Sequence, residues 1–181
     1  MSHSRRTFTL YAGNIRAELR YVGAAAHTTN DVLVWLPEQS ILFAGDLVFN
    51  GGTPFVVMGS VAGSRAALNR IRELRPHTIV PGHGEVCGPE KLDLIDDYLS
   101  FVQQSAAHGT AAGLTPLQLA QGLDLGKFTA LSDSERLVAN LHRAYAELAT
   151  WLRSTVASAS DVSPEHQVPA RHHDDGARSA R

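Results

Sequence analysis

The sequence holds a single cysteine in 181 residues, Cys87, so neither an internal disulfide framework nor an all-cysteine zinc site is open to it. It has no apolar run approaching the roughly 18–20 residues that a membrane span needs. It also lacks an excess of charge of one sign. Lys and Arg number 16 against 18 Asp and Glu, a net charge of −2, whereas a nucleic-acid-binding chain usually shows a clearly basic stripe. The opening MSHSRRTFTLYAG carries two arginines with no apolar stretch behind them, so it does not read as a secretory signal. Cytoplasmic residence is therefore the default expectation. What is present is an ordinary globular composition, 44% hydrophobic and 19% charged. Nine histidines are somewhat many for this length and direct attention to metal chemistry.

The chain divides into an ordered part, residues 1–154, and a tail, 155–181, whose small polar text (TVASASDVSPEHQVPARHHDDGARSAR) has neither helical nor strand periodicity and reads as disordered. The first half reads β. TFTLYAG and IRAELRYVG, separated by Gly13–Asn14, form a hairpin pattern in which Ile15, Ala17, Leu19 and Tyr21 alternate with Arg16, Glu18 and Arg20. DVLVWLP and SILFAGDLVF form a second strand pair. Val32 to Leu36 are continuously apolar, which predicts a strand covered on both faces. The second half reads mostly α. One helix is expected over Ser64–Leu74, stopped by Pro76. A second opens at Pro89, with Leu92, Ile95, Leu99 and Val102 on one face. A third, long helix is expected to start from a capping box of Ser132 and Glu135, with an apolar face of Leu137, Leu141, Tyr145, Leu148 and Leu152. Between the first two helices, HTIVPGHG reads as a short buried strand. The fold class is α/β (α+β), a mixed sheet flanked by helices, with further helices at the C-terminal end.

Three polar residues stand where an apolar strand runs out: His27 in AAAHTTNDV, Asp46 in LFAGDLVF and His83 in IVPGHGEV. A scaffold presents functional groups at such places. Each taken alone has a plain reading: Asp46 as a turn residue after Gly45, His83 as a loop residue between two glycines, His27 as a structural histidine. Together, two imidazoles and a carboxylate are the donor set that a borderline cation such as zinc accepts.

AHTTNDVLVWLPEQSILFAGDLVF followed by VPGHGEV resembles the C-terminal half of the metallo-β-lactamase superfamily. There, His-Thr or His-Ser with a following Asp, then Gly-Asp after a strand, then Gly-His-Gly after another strand, come in this order. Here they are His27–Thr28 with Asp31, Gly45–Asp46 and Gly82–His83–Gly84, and the resemblance runs over roughly residues 6 to 105. It implies half of an αββα sandwich. It also implies His27 as ligand of one zinc, His83 as ligand of a second, and Asp46 as the bridging and catalytic carboxylate, with Asp31 a turn or outer residue. The implied chemistry is hydrolysis of an ester, thioester, lactam or similar bond of a small molecule by a hydroxide held between two metals. Iron or manganese are compatible with the same residue types. NGGTPFVVMGSVAGS and the C-terminal helices look most like hydrolase-like members of the superfamily, some of which act as polyketide cyclases.

The chain departs from the family in having no His-x-His-x-Asp-His motif. His3 is followed by Ser4, Arg5 and Arg6, and the His172, His173, Asp174, Asp175 cluster has the right residue types in the wrong order, inside the tail. His27 and His83 would then share only Asp46, and neither metal would reach the three or four protein ligands that usually hold it. Two expectations follow: a hydrolase completed by a complementary N-terminal half or by a homodimer, or a non-catalytic half-domain that pairs with a partner. Cys87 reads as a small buried residue rather than a ligand. Gly51–Gly63, with Phe55 and Met58, is a candidate apolar pocket wall.

Overall fold

The computed structural model describes residues 7–160. Five strands form one sheet in sequence order, β1 (Thr7–Ala12), β2 (Ile15–Tyr21), β3 (Val32–Leu36), β4 (Ile41–Phe49) and β5 (Thr78–His83). The first three pairings are antiparallel and β4–β5 is parallel, so the sheet is mixed, as expected. The β1–β2 hairpin turns on Gly13, at φ 62°. Asn14 is not left-handed, the pattern of a II′ turn, whose first central position favours glycine. The parallel pair needs a crossover, and helix α1 (Val61–Leu74) supplies it. Ser60 caps that helix by accepting from the Gly63 amide at 2.9 Å, so it begins one turn earlier than its apolar spacing suggests. Helices α2 (Lys91–Ala111), α3 (Pro116–Gly122) and α4 (Arg136–Ser160) follow.

The helices pack on one face of the sheet only. Leu33, Trp35, Leu42, Ala44 and Ile79 point into the helical layer and are buried, together with Leu68, Ile71, Leu92, Leu99, Val102 and Leu141 from the helices. The opposite face has no cover among the described residues. Val32 is 46% exposed and Phe43 42%. The prediction that Val32–Leu36 would be covered on both faces is corrected accordingly: an unbroken apolar run reports two apolar faces, not two covered ones. β5 is likewise buried at Ile79 alone rather than along its length.

The hairpin strands show the same inversion. Glu18 and Arg20 lie opposite Trp35 and Leu33 in the register, hence on the helix side, where Glu18 is buried between Arg20 (2.9 Å from Nε) and Arg16 (3.4 Å). Leu19 and Ala17 share the other side with Phe8 and Leu10.

Two further expectations change. Ser132 is not a helix cap. Its backbone is taken by Gly51 and Thr53 in a parallel bridge, its hydroxyl turns to Asp133, and α4 starts at Arg136. That helix then continues through Ser154 to Ser160, with Leu152 exposed rather than on the buried stripe. The tail beyond it, including His172, His173, Asp174 and Asp175, lies outside the described residues, as does His3. Among the described residues, no helix is long and apolar enough to cross a membrane.

At the centre of the helical layer, Tyr98 on α2 is 1% exposed, and its hydroxyl accepts from Asn140 Nδ2 of α4 at 3.1 Å. Burial pushes its pKa up to about 12. An unfolded tyrosine ionises near 10, so above that pH the unfolded chain binds fewer protons than the folded one, and stability falls as pH rises. Urea midpoints measured between about pH 8 and 11 should show this loss above pH 10, and Tyr98→Phe should flatten that alkaline limb relative to the parent.

Candidate metal centre

Topology brings the three strand-end residues to one rim. β2 and β4 run in the same direction because each is antiparallel to β3, and β5 is parallel to β4. The C-terminal ends of β2, β4 and β5 therefore open on the same side of the sheet. His27 follows the first, Asp46 lies near the end of the second and His83 closes the third.

Each is held by local chemistry. Thr28 presents its amide and its hydroxyl to the two oxygens of Asp31, both at 2.8 Å, closing the turn that follows His27. Asp31, which the resemblance implied as a turn or outer residue, here closes a turn. The His27 ring is oriented by a 2.6 Å contact from Nδ1 to the Phe55 carbonyl. A carbonyl only accepts, so Nδ1 carries the proton and Nε2 of the neutral ring is bare. Asp46 sits where β4 leaves its regular register with β5, at Gly45, whose φ of 53° favours glycine. Across from it, a Cβ on Gly82 would come within 2.0 Å of Asp46 Oδ1, so only glycine lets the two strands close around the carboxylate. His83 stacks on Phe49 with ring centroids 4.6 Å apart and planes 7° from parallel. Asn50 ties the same corner together, its amide donating to the His83 carbonyl at 2.9 Å and its side chain to the Glu85 carbonyl at 2.9 Å.

The result is one carboxylate facing two imidazoles. Asp46 Oδ2 lies 3.3 Å from His27 Nε2 and Asp46 Oδ1 lies 3.5 Å from His83 Nε2. His27 is largely buried, whereas Asp46 and His83 are open to solvent. A bare imidazole nitrogen against a carboxylate oxygen sets lone pair against lone pair unless a proton or a cation sits between them. Two donors each at about 2.0–2.1 Å from a tetrahedral zinc lie about 3.3–3.4 Å apart, so both spacings fit the edge of such a shell. The donor set therefore fits zinc, as two positions sharing Asp46 rather than one enclosed position. Consistent with that, among the described residues no three His, Cys, Asp or Glu side chains surround a single point.

The other histidines among the described residues stay apart. His77, His108 and His142 are exposed on the surface. Cys87 pairs through its backbone with Ile79 and packs against the core, and burial, then Glu90, raises its thiol pKa. The expected pocket wall is met in part. Gly51, Gly52 and Pro54 of that segment line a small pocket together with Phe49 and Leu131, whereas Met58 points outward at 71% exposure.

Two positioning residues were not evident in the sequence. Asn140 is fully buried and donates to the Pro54 carbonyl at 2.7 Å, while its Oδ1 accepts from the Val56 amide at 3.1 Å. It thereby brackets Phe55, whose carbonyl orients His27. Arg136 holds the same loop by donating to the Thr53 carbonyl at 2.9 Å, with its guanidinium over the rings of Phe49 and Phe55. An asparagine falling on the apolar stripe of α4 was the one available signal for the first.

A profile of the metallo-beta-lactamase superfamily matches residues 13–83, a span that contains all three residues of the rim. Over that span the chain is similar to the metallo-β-lactamase superfamily. The chain is 30% identical over 83 residues to a "Beta-lactamase-like protein 2 homolog" of Caenorhabditis elegans, covering 46% of this chain and 27% of that protein. It is 32% identical over 75 residues to a "Hydroxyacylglutathione hydrolase" of Rhodospirillum rubrum, covering 41% of this chain and again 27% of the relative. The alignments thus span about a quarter of the length of these relatives. A solved metallo-beta-lactamase from Pontibacter korlensis aligns with a TM-score of 0.48 at 23% identity, over 55% of this chain and 47% of that one.

Replacing Asn140 by leucine should lower stability by about 2–4 kcal/mol, because it strands a buried amide and a buried carbonyl. Urea denaturation at neutral pH reads this directly. A loss below about 0.5 kcal/mol would mean that water or a neighbour satisfies both groups.

Proposed function

We propose that this chain carries the shared-carboxylate part of a zinc-dependent hydrolase centre of metallo-β-lactamase type, acting in the cytoplasm on an ester, thioester, lactam or similar bond of a small molecule. The observation that carries this reading is the pair of 3.3 and 3.5 Å spacings from the two oxygens of Asp46 to two different imidazoles. The relative named as a hydroxyacylglutathione hydrolase supports hydrolysis as the reaction class.

Bound zinc would supply an acidified water, with a pKa near 7, and a Lewis acid for the substrate's oxygen. The chain's own residues supply the rest. His27, fixed in one tautomer by the Phe55 carbonyl, would offer Nε2 to one ion. His83, held flat on Phe49, would offer Nε2 to the other. Asp46 would offer Oδ2 beside His27 and Oδ1 beside His83 as the carboxylate donors of the two positions. The exposure of Asp46 and His83 leaves the rim accessible to a substrate from solvent.

Each ion would receive only two donors from the described residues. That count favours a second reading for the chain by itself: a half-site that binds metal weakly and turns over nothing until donors arrive from another polypeptide segment. The two readings share the metal positions and differ in activity.

Zinc titration of the chelator-stripped chain by calorimetry tests the common part. Binding should be no tighter than micromolar, and Asp46→Asn should abolish it, since both positions lose their shared ligand. His27→Ala and His83→Ala should each remove one position. Zinc uptake unaffected by Asp46→Asn would overturn the assignment, and nanomolar binding of two ions would overturn the two-donor count.

A further inference from the structure

As a neutral ring, His27 has one proton for two acceptors. The Phe55 carbonyl stands 2.6 Å from Nδ1, and an Asp46 oxygen stands 3.3 Å from Nε2. Whichever nitrogen keeps the proton has no lone pair to offer. A proton on Nδ1 leaves Nε2 free to meet a cation at the rim. A proton on Nε2 would face Asp46 and block that nitrogen. The outcome turns on how firmly the Phe55 carbonyl is held against the ring.

That carbonyl belongs to residues 50–60, a segment between β4 and α1 with no regular helix or strand. Such a segment needs outside partners for its backbone. The helix α4 supplies them. Arg136, Asn140, Arg143 and Glu147 recur at helical spacing on one side of α4, each one residue before a member of the packed stripe Leu137, Leu141, Ala144 and Leu148. Arg136 donates to the Thr53 carbonyl at 2.9 Å. Asn140 donates to the Pro54 carbonyl at 2.7 Å and accepts from the Val56 amide at 3.1 Å. Glu147, braced by Arg143 at 3.1 Å, accepts from the Val61 amide at 2.8 Å and the Ala62 amide at 3.3 Å. The stripe thus grips the segment near Phe55 and again where α1 begins. Between the two grips the segment closes on His27 from two directions. Phe55 meets the ring, and the Ser60 amide donates to the carbonyl of the preceding residue, Ala26, at 2.8 Å. Gly59 permits that approach, because a Cβ there would collide with the same Ala26 carbonyl.

We infer that this polar stripe of α4, with Glu147 as its far member, is a positioning device for His27. It presses the Phe55 carbonyl onto Nδ1, keeps the proton off Nε2 and so holds open the nitrogen that a cation would meet. His83 is held by Phe49 and Asn50 instead, so the device acts on one of the two imidazoles. The tautomer part stands by itself; its consequence for a cation rests on the reading of the rim as a metal centre.

Nitrogen-15 NMR of the metal-free full chain at about pH 8, above the usual range of imidazole, reads the tautomer directly. The parent should show a protonated Nδ1 and a bare Nε2 at His27. Asn140→Ala should move the proton toward Nε2. Glu147→Ala, at a partly exposed side chain, should move it the same way and carries the test should Asn140→Ala fail to fold, with far-ultraviolet circular dichroism confirming structure. Leu119→Ala, a core truncation on α3, destabilises without touching the stripe and should leave the ring as in the parent. Zinc titration then separates the two positions. In a His83→Ala background, which leaves the His27 position, either stripe variant should weaken binding by about tenfold or more. In a His27→Ala background the same variants should leave binding unchanged. A ring that keeps its proton on Nδ1 in the folded variants, an equal shift in Leu119→Ala, or an equal zinc loss at both positions would overturn the inference. A parent that takes up no zinc while the tautomer shifts as stated would overturn the reading of the rim and still support the positioning role.

Discussion

The structure turns on one carboxylate standing between two imidazoles. Asp46 offers one oxygen to His27 and the other to His83, at spacings too long for good hydrogen bonds and suited to an intervening cation. Much of the architecture serves that arrangement. The antiparallel order of β2, β3 and β4 and the crossover through α1 place three strand ends on one rim. Gly82 leaves room for the carboxylate. Asn140 and Arg136, from the first turns of α4, hold the loop whose Phe55 carbonyl fixes the His27 tautomer. The long C-terminal helix is thus a support for the rim as well as a cover for the sheet.

The same arrangement limits the donors open to a cation at the rim. A carboxylate shared by two positions gives each of them two protein donors, fewer than a structural or catalytic zinc normally has. The superfamily match ends at His83, and the alignments reach only about a quarter of the relatives' length. The apolar face opposite the helices has the corresponding deficit in packing. Among the described residues each candidate metal position has two donors, and helices cover the sheet on one face.

Much of this was readable from the residues alone because the signals were local. The Gly13–Asn14 turn and its flanking alternation set the hairpin. His27, Asp46 and His83 drew attention as polar residues at the ends of apolar strands. What could not be read depended on distant partners. Val32–Leu36 announces two apolar faces, but whether a face is covered is decided elsewhere in the chain or outside it. Ser132 has the form of a helix cap, yet its backbone is claimed by Gly51 and Thr53, more than seventy residues away. The roles of Asn140 and Phe55 exist only once α4 meets the loop after β4, and Met58 could be assigned to a pocket wall only while its outward direction was unknown.

The central claim concerns which atoms meet a cation, and zinc-edge X-ray absorption of the zinc-loaded chain reads those atoms directly. The account predicts a shell of nitrogen and oxygen only, at about 2.0–2.1 Å, with the outer scattering of imidazole rings and no sulfur. A sulfur scatterer near about 2.3 Å, which would implicate Cys87, or a shell of oxygens without imidazole, would contradict it.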